Sequence, residues 1–256
     1  MLLYGHNAEL AYRHIKPLTI IIMVQIKFID LGIKDYKETW DLQEELLSKV
    51  LAARNDPAQS DFGGYLLFVE HPHVYTLGKS GEANNLLISE PFLKQINATY
   101  YRINRGGDIT YHGPGQLVGY PIFDLEKFRL GARSYIEKIE QSITQSLNEY
   151  QLEAGPLQGA TGVWLDAETT KARKICAIGV RISRSITMHG FALNANTDLT
   201  YFSYINPCGF QDKGVTSIEK ELQAKPDFEG VKNVVKGEIE EVFDISFASP
   251  PALLLK

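Results

Sequence analysis

The sequence predicts a mixed-sheet α/β or α+β fold, and three observations predict it. Strand-like and helix-like runs are interspersed along the 256 residues, they do not alternate as regular βαβ units, and no repeat or low-complexity linker interrupts them. A doubly wound parallel sheet fits this order less well.

The elements follow from periodicity. Residues 25–31 alternate enough for a first strand. From Asp35 to Arg54, Trp40, Leu42, Leu46, Leu47, Val50 and Leu51 recur at helical spacing, and Asn55-Asp56-Pro57 ends the helix. Tyr65 to Glu70 is a continuous apolar run, as in a buried strand. Beyond Pro72 the chain continues extended through Val74 to Gly78. A short helix lies within 84–96, with Ser89 before it and Pro91 in its first turn. Strands are predicted at 99–103, 116–123, 161–165, 174–182 and 187–194. Two further helices are predicted. One spans 132–150, with Ile136, Ile139, Ile143 and Leu147 on one face; the other lies near 228–243, through Val231, Val234, Val235 and Ile239.

Composition narrows the function. The chain has 44% hydrophobic and 22% charged residues, ordinary for a globular protein. Its formal net charge of −5 argues against general nucleic-acid binding, which needs a dominant basic surface. Two cysteines, Cys176 and Cys208, are too few for a disulfide framework and suit a reducing compartment, hence a cytoplasmic location. The apolar run at 17–24 is too short to span a bilayer, and no small-residue cleavage site follows it. Residues 1–22 read as a flexible or non-native extension, with Met23 as the start of a single domain over 23–256.

The most unusual stretch is RGGDITYHGPGQ, residues 105–116. Four glycines and a proline in twelve residues carry an entropic cost. A plain hairpin is one reading, with turns at Gly106-Gly107 and Gly113-Pro114-Gly115. The other is a ligand site, because Arg105, Thr110, Tyr111 and His112 converge on backbone that a ligand can approach closely. Neither a GxGxxG nor a GxxxxGK run followed by Ser or Thr is present, so no familiar phosphate cradle is encoded. A narrow slot with free main-chain N–H groups suits a linear acyl chain ending in a carbonyl.

Two further positions carry potential chemistry. Cys208 lies in Asn-Pro-Cys-Gly, a turn-like context. A working thiol needs a neighbour that takes its proton, whereas an isolated one is commonly inert core. Lys174 stands within a predicted strand before Ile-Cys-Ala-Ile-Gly. Partial burial there lowers an amine's pKa, although strand lysines commonly reach out to water. Cys176, two residues on, would share the face of Lys174 in a regular strand. His71, His73 and His189 form no recognisable metal spacing, so no metal site is expected.

The motif at 105–116 resembles the signature of lipoyl(octanoyl) transferases, relatives of the lipoate and biotin protein ligases. Glu70 to Lys79, Arg173 to Gly179, His189 to Asn194 and Ile205 to Gly209 follow in that family's order. The resemblance covers roughly residues 24–245. It implies a mixed sheet flanked by helices with a small strand-rich subdomain. It also implies transfer of an octanoyl group from octanoyl-acyl carrier protein to a lysine of lipoyl domains, in protein lipoylation. The acceptors implied are the E2 subunits of 2-oxoacid dehydrogenases and the glycine cleavage H protein, without cofactor, nucleic acid or membrane. Cys208 would hold the acyl group as a thioester and Lys174 would activate it. Substrate contacts are expected from Arg105, Gly106, Gly107, Asp108, Ile109, Thr110, Tyr111 and His112. Ala177, Ile178, Gly179, Gly190, Phe191 and Ala192 are expected to add to them. Cys176, where the family commonly has a small residue, reads as core. Arg102, Arg105, Lys171, Arg173, Lys174, Arg181 and Arg184 form a local positive excess that would steer acidic partners; unrelated solvated strand edges are the alternative. An ATP-dependent lipoate or biotin ligase is the alternative function.

Overall fold

The hydrophobic runs of the chain assemble into two sheets in a computed structural model that describes residues 23–206 and 213–248. The expectations about residues 1–22 and about the surroundings of Cys208 fall outside the described residues. In order, the chain forms β1 (Val24–Ile33), α1 (Tyr36–Ala53), β2 (Phe62–Glu70), β3 (Val74–Leu77), α2 (Glu90–Gln95), β4 (Thr99–Arg102) and β5 (Ile109–His112). Then follow β6 (Gln116–Phe123), α3 (Leu125–Phe128), α4 (Ala132–Asn148), β7 (Ala154–Leu157), β8 (Ala160–Leu165), β9 (Arg173–Ser183) and β10 (Ile186–Asn194). The chain continues through a 3-10 segment (Leu199–Tyr204), β11 (Gly214–Val215), α5 (Ile218–Leu222), α6 (Phe228–Phe243) and β12 (Ile245–Ala248).

The large sheet runs β12-β1-β2-β6-β10-β9-β8-β7, with β11 added beside β9. Pairs β12–β1, β1–β2 and β11–β9 are parallel; the others are antiparallel. The small sheet has the order β4-β3-β5. Mixed pairing and the separate small sheet match the fold class the sequence predicts.

The apolar run in β2 is explained by burial on both faces. Leu66 and Phe68 face a core with Ile139, Ile143, Val235 and Ile239 of α4 and α6. Tyr65, Leu67 and Val69 face Leu46, Val50 and Ala53 of α1. Each such side chain contributes about 1.5–3 kcal/mol on full burial. Helices α1 and α6 start where the sequence caps them. Asp35 accepts hydrogen bonds from the Lys37 and Glu38 amides, and Asp227 accepts one from the Gly230 amide.

The glycine-rich segment is not a hairpin. Strands β4 and β5 lie on opposite sides of β3, so Gly106-Gly107 connects non-neighbours. Strand β5 belongs to the small sheet and β6 to the large one, so Gly113-Pro114-Gly115 carries the chain from one sheet to the other.

Candidate active site

Where the two sheets meet, the loop between β4 and β5 lies against β9. The Gly106 amide donates to the Val180 carbonyl at 3.1 Å, and the Lys79 and Ser80 amides donate to the carbonyls of Arg105 and Gly107. Arg105 folds back over its own loop, donating to the carbonyls of Gly106 and Asp108, each at 2.7 Å. Its planar fork thereby fixes the loop's shape. Asp108 accepts from the Ile109 amide at 2.6 Å and from Asn85 Nδ2 at 2.7 Å. Two glycines make this approach possible. A Cβ on Gly78 would stand 2.2 Å from the Gly107 oxygen, and one on Gly179 would stand 2.7 Å from Arg105 Nη1.

The joint between the sheets encloses a cavity of about 540 Å3, within the range of small-ligand sites. Arg105, Gly106, Gly107, Asp108, Ile109 and Thr110 form one wall; Lys174, Ala177, Ile178, Gly179 and Ala192 contribute the opposite one. A second space of about 40 Å3 adjoins it. This one shares Arg105, Thr110, Ala177, Ile178, Gly179 and Ala192, and adds His112, Gly190 and Phe191. Tyr111 lines neither space. It is fully buried in an aromatic cluster, its hydroxyl 2.7 Å from His73 Nδ1 and its ring stacked on Tyr201.

Lys174 sits where three strands meet. It pairs with Trp164 of β8 on one side and with Val215 of β11 on the other. Its Nζ lies 4.6 Å from the Trp164 ring centroid, a contact worth about 0.5–2 kcal/mol. The stem of Lys174 crosses Gly162, where a Cβ would be 3.4 Å from Cε and 2.6 Å from the Cys176 oxygen. Gly162 has φ +126°, a conformation that favours glycine, and its amide donates to Glu140 Oε1 at 3.0 Å. Burial raises the Glu140 carboxyl above its ordinary range, and the Gly162 amide opposes that rise.

The register shifts by one residue between Val163–Cys176 and Trp164–Lys174. Strict alternation therefore does not hold across Ile175. Cys176 is fully buried among core side chains. Burial pushes its thiol far above the usual range, more strongly than the charge of Lys174 pulls it down. Such a thiol stays protonated and inert.

A buried hydrogen-bond chain ties the glycine segment to β11. His112 Nδ1 lies 2.7 Å from Gln116 Oε1; Gln116 Nε2 donates to Asn194 Oδ1 at 2.9 Å; Asn194 Nδ2 donates to the Thr216 carbonyl at 3.0 Å. Gln116 and Asn194 both line the larger cavity. Sequence reasoning missed them, along with Trp164 and Gly162; solitary polar residues at strand ends carry no local signal.

The local positive excess is partly consumed internally. Arg173 forms ion pairs with Asp166 and, at 2.6 Å, with Glu221. Arg181 pairs with Glu44 at 2.9 Å, Arg105 is bent onto backbone, and Lys174 faces the cavity. Arg102, Lys171 and Arg184 remain exposed. No cluster of three or more potential metal ligands occurs among the described residues. No helix among them is long and apolar enough to cross a membrane.

Comparison with known proteins gives the family of the chain. The family model described as the lipoyl protein ligase A/B catalytic domain matches residues 35–240. An octanoyltransferase of Christiangramia forsetii is 53% identical over 224 residues, covering 86% of this chain and 96% of its own. One of Flavobacterium psychrophilum is 54% identical over 224 residues, covering 86% and 97%. Among solved structures, a bipartite lipoate protein ligase of Thermoplasma acidophilum superposes with a TM-score of 0.65 at 16% identity, covering 89% of this chain and 87% of that one. A lipoate-protein ligase A bound with ATP gives 0.63 at 14% identity, covering 89% and 88%; both likenesses concern the fold. The chain belongs to the lipoyl protein ligase A/B catalytic-domain family, among its octanoyltransferases.

Proposed function

We propose that this octanoyltransferase carries its acyl group on Cys208, with Lys174 as the base that takes the thiol proton. The observation that carries this reading is the position of Lys174 at the wall of the 540 Å3 cavity, paired with Val215 of β11. Ile205, Lys213 and Gly214, described residues on either side of Cys208 in the sequence, line the same cavity.

In the first half-reaction Cys208 Sγ gives its proton to Lys174 Nζ and attacks the thioester carbon of octanoyl-acyl carrier protein. The carrier's phosphopantetheine sulfur leaves and takes up a proton. In the second, a free lysine amine of a lipoyl domain attacks the Cys208 thioester. An amide forms, the amine's proton is lost, and Cys208 leaves as thiolate to be reprotonated. Main-chain N–H groups of the glycine segment or beside Cys208 stabilise the oxyanions. One thioester replaces another in the first step, so neither ATP nor a cofactor is required, and ping-pong kinetics follow. The acceptors are lipoyl domains of 2-oxoacid dehydrogenase E2 subunits and the glycine cleavage H protein. The reaction takes place in the cytoplasm, where Cys208 stays reduced.

Incubation with octanoyl-acyl carrier protein tests this reading, with and without a lipoyl domain and with and without ATP. Amide formation is expected only with the domain present and independently of ATP. An ATP requirement would make the chain a ligase, and release of free octanoate at an equal rate without acceptor would make it a hydrolase.

A further inference from the structure

A break in the regularity of the large sheet brings Trp164 and Lys174 together. Strands β8 and β9 pair Val163 with Cys176 and then Trp164 with Lys174, so Ile175 is the extra residue on β9. In an uninterrupted antiparallel register Trp164 would stand opposite Ile175, and Lys174 opposite Leu165. The bulge turns two consecutive residues, Ile175 and Cys176, into one core. It leaves the indole directly across from the lysine, where cross-strand partners share a face. The ring is fixed there: it is 2% exposed, and its Nε1 donates to the Ala160 carbonyl at 3.1 Å. Lys174 Nζ stands over it, 4.6 Å from the centroid, on a stem that crosses the bare Gly162. Both residues line the larger cavity.

An aromatic face attracts an ammonium far more than a neutral amine. Burial acts in the opposite sense, since it favours the amine and weakens a lysine as a base. The other ionisable groups around Lys174 carry both signs. Glu140 of α4 accepts the Gly162 amide. On β9 itself stand Cys176 and Arg173, the latter paired with Asp166 and Glu221. Arg105 and Asp108 belong to the facing wall of the cavity, and Lys213 lines it just before β11.

We propose that Trp164 is a positioning residue for acyl transfer: its face stabilises the ammonium that forms when Lys174 Nζ takes the proton of Cys208 Sγ, and so strengthens a half-buried lysine as a base. The proton passes from sulfur to nitrogen, the sulfur keeps the electron pair that bonds to the octanoyl carbonyl carbon, and the ring exchanges nothing. Such a contact raises the lysine pKa by about one unit, roughly a tenfold shift toward the thiolate and ammonium pair. The inference rests on the reading of Lys174 as the base and adds the residue that tunes it.

Fluorinated tryptophan separates the electrons of the ring from its volume, because fluorine drains the π face while scarcely enlarging it. Of the two tryptophans, Trp40→Phe leaves only Trp164, into which mono-, di- and trifluorinated rings are introduced. In a Cys208→Ala chain, where that thiol no longer couples to the lysine, acetylation by acetic anhydride across pH with peptide mapping gives the Lys174 pKa. It is expected to fall with each fluorine, by roughly half a unit at the third. In chains that keep Cys208, the acid limb of the pH profile for octanoyl loading is expected to move down with it. The plateau rate above that limb falls by up to roughly threefold, with an unchanged melting temperature. One lysine pKa for all four rings overturns the proposal and leaves the octanoyltransferase reading standing, Trp164 then being packing alone. A falling pKa with an unmoved loading profile overturns it together with the assignment of Lys174 as base. Absence of loading in the wild type condemns the Cys208 reading itself, and the inference with it.

Discussion

At the scale of the residue, the site depends on contacts that a single methyl group breaks. Gly179 allows Arg105 to lie across β9, and an added Cβ would press on its Nη1, its Cδ and the Gly106 oxygen. Gly179→Ala is therefore expected to displace Arg105 and reshape the slot. A fall in kcat/KM of roughly 100-fold is expected, since small misplacements are amplified at the reacting centre. Steady-state kinetics beside a thermal melt check this, with the melting temperature moving little. Legibility at this scale was uneven. The sequence signalled the glycine segment through its composition, and most of its residues line the cavity. Tyr111 turns into the aromatic cluster instead, because its hydroxyl finds His73 across the small sheet, a pairing no local pattern encodes. His189 was marked only as the first residue of the His189 to Asn194 segment of the resemblance, with no role attached to it.

At the scale of the element, β9 organises the site. Strand β10 covers its outer part down to Leu193–Cys176, and β11 takes over at Lys174–Val215. Asn194, at the end of β10, joins the two through its bonds to Gln116 and Thr216. Replacing it with leucine leaves the buried Gln116 amide and Thr216 carbonyl short of partners. Asn194→Leu is expected to cost about 1–3 kcal/mol of stability and to lower kcat more than KM, because β11 is the strand into which the Cys208 segment returns. Urea titration and separate determination of kcat and KM check it; an unchanged kcat would detach β11 from catalysis. Long periodic elements were readable: the helix expected near 228–243 is α6, and the run at 65–70 lies in β2. Short ones were read unevenly: β3, β4 and α2 were expected, whereas β7, β11 and β12 were not. Strands β7, β11 and β12 have four residues or fewer and take their conformation from the neighbours they pair with. The irregularity at Ile175 was equally hidden, because it exists only in the register between β8 and β9.

At the scale of the molecule, three buried histidines make stability depend on pH. Burial lowers His71 to about 4 and His112 and His189 each to about 3, against an ordinary value of 6.5. They are neutral in the folded protein, whereas the unfolded chain binds their protons below pH 6.5. Their contribution is thus fully present above 6.5 and is lost as pH falls toward 4 and 3, each by up to about 1.4 kcal/mol per pH unit. Urea midpoints measured from pH 7.5 to 5.0 are expected to be level at first and to fall below about 6.5; a flat profile to pH 5.0 would contradict it. The mixed-sheet class was readable from the mixture of elements and the small second unit only from the family resemblance; the meeting of the sheets around a cavity was not, because it arises from pairings between distant segments. The proposed mechanism turns on one transient bond, between the octanoyl carbonyl and Cys208. Intact-mass analysis of the protein after brief exposure to octanoyl-acyl carrier protein, followed by peptide mapping, tests it most directly. One octanoyl group per chain on Cys208 is expected, undiminished by Cys176→Ala. Label on Cys176, or full activity in Cys208→Ala, would contradict it.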